Sequence, residues 1–208
     1  MDVEVDGSHG GPMIVVMQAT LLVLAGGDSR RMGRTKAWLE VGETTLVRWV
    51  ADRLAPAFAE VVVSFAEPEQ VQEQVPYRVV FDRKPSAGPL AGLEAGLSAA
   101  RNEVTFALAC DMPYVTRELA AMAVAASYGC DAAIPRIDGR PEPACAAYRH
   151  SALPAITVAL DAGRYRAADL AEQLDVAWLE GLDPDLFRSL NTPEDYDGFR
   201  RELGRGDN

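Results

Sequence analysis

The sequence has 208 residues, of which 49% are hydrophobic and 25% are charged, so we expect one globular domain with a sizeable core. Its formal net charge of -11 would repel a nucleic-acid backbone, which excludes nucleic acid as an expected partner. The count of three cysteines is odd and shows no metal-ligand spacing. This pattern argues against a disulfide framework and favours a reducing compartment, so we expect a cytoplasmic location.

The N-terminal residues 1–16 are predicted to form a flexible extension, and residues 17–208 a single domain. The extension contains a Gly-Ser-His-Gly-Gly stretch, and Met13 and Met17 are alternative start sites. The apolar run that begins at Met13 follows acidic rather than basic residues and is too short to span a bilayer. We therefore expect neither a signal peptide nor a contact with a membrane.

Apolar runs, glycine-rich loops and helical patterns alternate along the chain, which is typical of a parallel sheet with helices on both faces. We predict a Rossmann-like, three-layer α/β/α fold with a mostly parallel central sheet. The predicted strands are 20–25, 60–65, 78–81, 104–109, 132–134, 144–148 and 176–179. Helices are predicted after caps at Thr44 and Thr116, along the stripe that begins at Leu90, over 151–160 and 167–174, and after Asn191.

A glycine-rich segment over residues 26–36 follows the first predicted strand. It contains three glycines and four basic residues, Arg30, Arg31, Arg34 and Lys36, in an otherwise acidic chain. Glycines let backbone N–H groups approach phosphate oxygens, so this composition favours phosphate binding. The order of the residues matches neither a P-loop nor the dinucleotide fingerprint, which disfavours ATPases and dehydrogenases. A glycine-rich turn with solvated arginines is the alternative interpretation.

Two aspartates follow predicted strands and are candidates for binding a nucleotide. Asp111 comes two positions after the end of strand 104–109, where open α/β sheets place their ligands, and its carboxylate suits Mg²⁺. The alternative is an aspartate that caps the turn before Pro113. Asp82 follows strand 78–81, and its alternative is a solvated charge cluster with the neighbouring Arg83 and Lys84.

Four ordered motifs carry a specific resemblance. They are L-A-G-G-x-S-x-R-M-G-x-x-K over 24–36, Asp82 followed by A-G-P-L-A-G-L over 87–93, C-D-M-P over 110–113, and N-T-P-E-D over 191–195. Together they resemble the nucleotidyltransferases of the molybdenum cofactor and of related sugar and isoprenoid precursors. The resemblance implies a nucleotidyltransferase fold, Mg²⁺ as cofactor, and transfer of GMP from GTP to molybdopterin with release of pyrophosphate.

The same resemblance implies roles for individual residues. The implied nucleotide-binding residues are Leu24, Ala25, Gly26, Gly27, Lys36, Ser64, Asp82, Gly88, Pro89, Leu90 and Asp111. Ser64 stands where many members of the family have Asn. The implied acceptor-binding residues are Arg30, Gly33, Arg166 and Asn191, with Arg164 beside Arg166. Lys36, Asp111 and Arg30 are the implied catalytic residues, and Asp111 is the implied metal ligand.

The reaction we expect is an in-line displacement by a terminal phosphate of the acceptor, which needs no protein nucleophile. Accordingly, neither His9 nor His150 has the neighbours of a catalytic base. Transfer of CMP from CTP and transfer to another phosphorylated small molecule are the close alternatives. A non-catalytic nucleotide-binding adaptor for molybdoenzymes is the alternative of a different class. Transient contact with cofactor-biosynthesis proteins or molybdoenzymes is expected as well.

Overall fold

A computed structural model describes residues 16–26, 35–85, 87–166 and 170–206; predictions that fall on other residues lie outside it. Its strands are β1 Met17–Leu24, β2 Glu40–Val41, β3 Thr44–Thr45, β4 Phe58–Phe65, β5 Arg78–Phe81, β6 Val104–Ala109, β7 Ala132–Ile137, β8 Arg140–Pro141, β9 Cys145–Arg149 and β10 Val176–Leu179. Its α-helices are α1 Leu46–Leu54, α2 Pro89–Ala99, α3 Arg117–Ala126, α4 Leu153–Asp161 and α5 Pro193–Gly206. Within these ranges, every helix is too short or too polar to cross a membrane.

The central sheet has the strand order β10-β7-β9-β6-β1-β4-β5, and β8 pairs with β7. Strands β5, β4, β1 and β6 are parallel neighbours, whereas β9 runs antiparallel to β6 and β7. The chain moves outward from β1 to β5 and then returns to the other side of β1 with β6. This reversal opens a crevice at the carboxyl ends of β1 and β6, which is the usual ligand site of such sheets.

Helices cover both faces of the sheet and give the molecule two core clusters. Helices α1, α3 and α5 pack on one face and α2 and α4 on the other. Strand β1 separates the clusters, since Leu21 and Val23 point into the first and Leu22 and Leu24 into the second. Its last six residues are all buried, as expected for a central strand that is covered on both sides. The predicted three-layer α/β/α fold is confirmed.

Several predicted element boundaries agree with the structure, and Thr44 does not. Strands 78–81, 104–109 and 176–179 have the predicted bounds, and the Thr116 hydroxyl caps α3 by accepting from the Leu119 N–H at 3.3 Å. The prediction of Thr44 as a helix cap is wrong. Thr44 pairs with Val41 in a short hairpin whose turn uses Gly42 at φ +58°, so the helix begins only at Leu46.

The remaining strands differ from the predicted bounds at one or both ends. The first and second begin earlier, at Met17 and Phe58, and the predicted strand 144–148 covers Cys145–Arg149. Strand β7 continues to Ile137 because Asp138 and Gly139, at φ +50° and +77°, turn the chain back into β8. The helix predicted over 151–160 begins at Leu153, and the predicted helix start at 167 lies outside the described residues.

Candidate functional site

The candidate site lies at the carboxyl edge of the four parallel strands. Leu24 ends β1, Ser64 lies near the end of β4, and Asp82 and Asp111 follow β5 and β6. Backbone hydrogen bonds continue the sheet past the strand ends, from Cys110 N–H to Leu24 O at 3.0 Å and from Asp82 N–H to Phe65 O at 3.1 Å. The segments that carry both aspartates are therefore anchored to the sheet.

Lys36 stands at the centre of one polar cluster in this site. Its ammonium group donates to Asp111 Oδ2 at 2.8 Å and to Asn191 Oδ1 at 2.8 Å. The side chains of Lys36 and Asp111 are 19% and 22% exposed, so both can still meet a ligand. Lys36 begins a short 3-10 turn that ends at the buried Trp38, whose ring stacks on Phe65. The structure thus brings together three of the predicted site residues.

The N-terminus of α5 holds Asn191 in place. The Asp195 carboxylate accepts from the Asn191 and Thr192 N–H groups at 3.0 and 2.8 Å, and the Thr192 hydroxyl accepts from the Asp195 N–H at 3.1 Å. This reciprocal pattern is a capping box. The hydrogen bonds from Thr192 and Asn191 keep the pKa of Asp195 below its ordinary value. The N-T-P-E-D motif therefore has a structural role that orients Asn191.

Aromatic packing fixes α5 against the rest of the domain. Phe199 is 2% exposed and makes edge-to-face contacts with Trp49 on α1 and with Tyr114, with ring centroids 5.0 and 5.6 Å apart. The Leu190 N–H also donates to the backbone oxygen of Asp111 at 2.8 Å. The end of the chain is thereby docked directly beside the carboxyl end of β6.

A second cluster lines a crevice between β4 and α2. Ser64 Oγ and Asp82 Oδ1 are buried and have no hydrogen-bond partner among the described residues. A Cβ atom on Gly92 would lie 2.7 Å from Ser64 Oγ, 3.2 Å from Leu24 Cδ2 and 3.6 Å from Asp82 Oδ1. The three side chains thus pack against one point of α2, where only a glycine fits. Buried polar atoms without partners are rare, so a ligand is a natural partner for them.

The ionisation of Asp82 reflects this crevice. Burial raises its pKa to about 7, and the nearby charge of Glu94 adds to the shift. A carboxylate that titrates close to neutral pH in a cleft is a mark of functional sites. In its ionised form it can accept two N–H bonds side by side, as a guanine edge would offer.

The other predicted nucleotide-binding residues frame the same crevice. The N–H groups of Ala25 and Gly26 donate to Ser64 O at 2.8 and 3.1 Å, and a Cβ on Gly26 would meet Ala66 N at 2.7 Å. Gly88 lies at φ +70° directly before α2, Pro89 is the first residue of the helix, and Leu90 is buried.

Some predicted residues are not brought to the site by the described structure. Gly27, Arg30 and Gly33 lie outside the described residues. Arg166 lies in the exposed stretch after α4, and its side chain forms no hydrogen bond or ion pair with any residue of the described ranges. Their roles stay predictions.

Glu94 is a residue of this region that sequence reasoning missed. It is 7% exposed and is the only charged residue within α2. A single acidic residue within an otherwise apolar, small-residue helix is the signal that could have found it. Its partners are Arg83 and Thr157.

Asp111 fits Mg²⁺ as a single protein ligand. Among residues 16–26, 35–85, 87–166 and 170–206, no group of three or more His, Cys, Asp or Glu side chains could hold a metal ion. Mg²⁺ needs only one or two carboxylates when phosphates supply the other oxygens. The Asp111 carboxylate is 22% exposed and only its Oδ2 atom meets Lys36, so the group offers Mg²⁺ the oxygen ligand that this ion prefers.

Cys110 adjoins this site without contributing a nucleophile. Burial raises the pKa of its thiol well above the ordinary value, and the charge of Asp111 adds to the shift. A protonated, buried thiol is inert. The cluster can therefore bind and orient phosphates, but its described residues include no activated side chain for covalent catalysis.

Known proteins are similar to this chain over most of its length. A family model described as the MobA-like NTP transferase domain matches residues 21–177. A probable molybdenum cofactor guanylyltransferase of Pelotomaculum thermopropionicum is 37% identical over 187 residues, which cover 86% of this chain and 91% of the relative. A molybdenum cofactor guanylyltransferase of Cereibacter sphaeroides is 35% identical over 178 residues, with 84% and 91% covered.

Solved structures share the same fold. Molybdopterin-guanine dinucleotide biosynthesis protein A of Archaeoglobus fulgidus superposes with a TM-score of 0.77 at 25% identity, covering 89% of this chain and 99% of its own. The 2-C-methyl-D-erythritol 4-phosphate cytidylyltransferase of Thermus thermophilus superposes with a TM-score of 0.69 at 23% identity, covering 91% and 100%. The second likeness concerns the fold alone.

Proposed function

Because the chain belongs to the family of MobA-like NTP transferases, we propose that it transfers GMP from GTP to molybdopterin. The products are pyrophosphate and molybdopterin guanine dinucleotide. The observation that carries the proposal is the adjacency of two clusters at one sheet edge: the cation-carboxylate-amide cluster of Lys36, Asp111 and Asn191, and the crevice of Ser64 and Asp82.

The crevice supplies the recognition of the base. Guanine presents two adjacent N–H donors on one edge, and the ionised Asp82 carboxylate is their complement. Ser64 Oγ, which lacks a partner among the described residues, offers a further hydrogen bond. A base without those donors would leave Asp82 desolvated and unpaired, which is costly. This chemistry favours GTP over ATP and UTP.

The other cluster would meet the phosphates. Lys36 would stabilise negative charge that builds up on the α-phosphate, and Asp111 would hold Mg²⁺, which supplies further charge neutralisation when bound. The N–H groups of the glycine-rich segment over 26–36 are expected to add donors. Charge neutralisation matters here because two polyanions must approach each other.

The reaction is an in-line displacement. A terminal phosphate oxygen of molybdopterin forms a bond to the α-phosphorus of GTP, and the bond from that phosphorus to the bridging oxygen of pyrophosphate breaks. The attacking oxygen is already ionised near neutral pH, so no proton has to be removed by the protein. Positioning and electrostatic stabilisation are the main tasks of the side chains.

Asn191 would lie on the acceptor side of this arrangement. Its amide oxygen contacts Lys36, so its amide nitrogen is available to donate to an acceptor phosphate. Arg30, Gly33 and Arg166 are proposed to complete the acceptor site. A cytoplasmic location and transient contact with cofactor-biosynthesis proteins or molybdoenzymes belong to the same proposal.

The alternatives receive less support. The relatives at 31–37% identity are named guanylyltransferases, which favours GTP over CTP as the donor. A non-catalytic adaptor would not need a lysine paired with a carboxylate beside a base crevice.

The test is pyrophosphate release from GTP with Mg²⁺ and molybdopterin, in the wild type, in Asp111→Ala and in the control Asp197→Ala on the exposed side of α5. We expect release by the wild type and the control, and a loss of about 10²-fold or more in Asp111→Ala. GTP should be preferred over CTP, ATP and UTP. Equal or better use of CTP, or GTP binding without any release, would contradict the proposal.

A further inference from the structure

Glu94 is a buried carboxylate that the proposed reaction does not use. It lies on α2 and is 7% exposed, although the rest of that helix is apolar or small. Its Oε1 atom accepts from Arg83 Nε at 3.0 Å and from Thr157 Oγ1 of α4 at 3.4 Å. Burying a charge is costly unless it is paired, so the contact with Arg83 is what makes this position tolerable.

Arg83 connects Glu94 to a second anion. Its Nη1 atom lies 3.0 Å from Asp161 Oδ1 at the end of α4. Lys84 reaches the same Asp161 oxygen at 2.9 Å and the Leu160 carbonyl at 3.1 Å. Ion pairs therefore link the segment after β5 to α2 and α4, the two helices that cover this face of the sheet.

Asp82 immediately precedes Arg83 and Lys84 in the sequence. Its Oδ1 atom has no hydrogen-bond partner among the described residues, so no hydrogen bond of that atom fixes the direction of the carboxylate. Its backbone N–H bonds to Phe65 O on one side, and Arg83 is anchored on the other. The position of the Asp82 carboxylate in the crevice thus depends on its neighbours.

We propose that Glu94 is a positioning residue for nucleotide recognition: by anchoring Arg83 it fixes the carboxylate of Asp82 where the base binds. This inference rests on the proposed function, because it takes Asp82 as the acceptor for the guanine edge. Glu94 acts through Asp82 and touches no substrate itself.

The charge of Glu94 gives this role an electrostatic signature. The charged groups around Asp82 in the described ranges are Glu94 from α2, Arg83 and Lys84 from its own loop, and Asp161 from α4, which pairs with both cations. Strands β1 and β4 present the uncharged Leu24 and Ser64. Glu94 adds to the rise in the pKa of Asp82 that burial causes. Removing that negative charge lets Asp82 stay ionised at lower pH, so the pH dependence of GTP use must move.

The experiment measures the KM for GTP from pH 5.5 to 8.5 in the wild type and in two variants. Glu94→Gln keeps an oxygen that can accept from Arg83 but removes the charge. The pH below which its KM for GTP increases should be lower than in the wild type by about half to one pH unit. Its KM at pH 8.5 should stay within about twofold of the wild type. Glu94→Ala loses the anchor, so its KM for GTP at pH 8.5 should rise about tenfold while the KM for molybdopterin stays unchanged.

Two further variants make the result decisive. Glu103→Gln removes a carboxylate that pairs with Arg149 at 2.9 Å, away from the crevice, and it should match the wild type throughout. Arg83→Gln removes the guanidinium from the other end of the contact, and it should reproduce the higher KM of Glu94→Ala; urea unfolding of both variants checks that each one is folded.

The inference is overturned if Glu94→Gln keeps the pH profile of the wild type, or if Arg83→Gln keeps its KM for GTP. These outcomes are distinct from a failure of the proposed function, in which the wild type itself would release no pyrophosphate from GTP and molybdopterin.

Discussion

Lys36 donates a hydrogen bond of 2.8 Å to Asp111, although 75 positions separate the two residues in the sequence. Both side chains remain partly exposed at a strand end, so each can release the other and contact a ligand instead. Until then the pair holds the two side chains in place.

Replacing Lys36 should impair the chemical step. Lys36→Met removes the cation expected near the α-phosphate, so kcat should fall about 10² to 10³-fold, and Lys36→Arg should recover part of the loss. Single-turnover transfer of labelled GMP measures this. Arg101→Met, at a side chain that is 80% exposed, is the control and should behave as the wild type. If kcat of Lys36→Met is reduced less than tenfold, the lysine has no catalytic role.

Asp82 predicts how GTP binding depends on pH. Its pKa is raised to about 7, mainly by burial, and only the ionised form accepts both N–H groups of guanine. The KM for GTP should therefore rise as the pH falls below about 7 and level off above it. Measuring KM for GTP and for molybdopterin over the same pH range checks this, since only the first should follow Asp82. A flat profile for GTP between pH 6 and 8 would refute it.

The same group predicts an effect on stability. The pKa of Asp82 is 3.8 in an ordinary setting and about 7 in the fold, so between these values the folded state holds a proton that the unfolded state has lost. The free energy of unfolding therefore falls as the pH rises from about 4 to 7. Asp82→Asn should be more stable than the wild type at pH 8 by about 2 kcal/mol, after a discount for partial solvent exposure, but not at pH 4. Urea unfolding at both pH values measures the difference.

Gly92 predicts a steric effect on the crevice. The Cβ atom in Gly92→Ala would lie 2.7 Å from Ser64 Oγ, so Ser64 and Leu24 must shift. Unfolding should become easier by about 1 to 3 kcal/mol, and the KM for GTP should rise. Gly204→Ala is the control, since its Cβ would meet nothing within 4 Å; thermal unfolding and GTP kinetics of both variants decide the matter, and equal behaviour would argue against a closed contact at Gly92.

Removing the cap of α5 should weaken the use of the acceptor. Asp195→Ala removes the oxygen that binds the Asn191 and Thr192 N–H groups, so Asn191 loses its orientation. The KM for molybdopterin should rise about fivefold to tenfold, as in Asn191→Ala, with the KM for GTP nearly unchanged. Steady-state kinetics with each substrate varied in turn tests this. If only the KM for GTP changed, Asn191 would belong to the nucleotide side of the site, and the prediction would be wrong.

Much of this site could be predicted because it is local in sequence. Asp111 follows an apolar run that is typical of a buried strand, and Asp82 follows another, so the parallel topology places both at the same edge of the sheet. The helix cap at Thr116 could be predicted for the same reason, because its hydroxyl bonds to an N–H group only three residues later.

Other features depend on contacts that no local pattern encodes. The contact between Lys36 and Asn191 spans 155 positions and requires α5 to dock first. Threonine is a common helix cap, but Thr44 pairs with Val41 instead, because the turn at Gly42 brings the two residues together in a hairpin. Glu94 stands out in the sequence only as the one acidic residue of an apolar helix; its burial and its contact with Arg83 depend on how α2 packs against the segment after β5.

The docking of α5 also bears on the order in which the proposed site can form during synthesis. The residues proposed to recognise the base lie between β1 and α2 and are made before α5. Asn191 meets Lys36 from the segment that leads into α5, and Phe199 of that helix packs against Trp49 and Tyr114. We therefore expect a nascent chain to form the proposed nucleotide site before the proposed acceptor site.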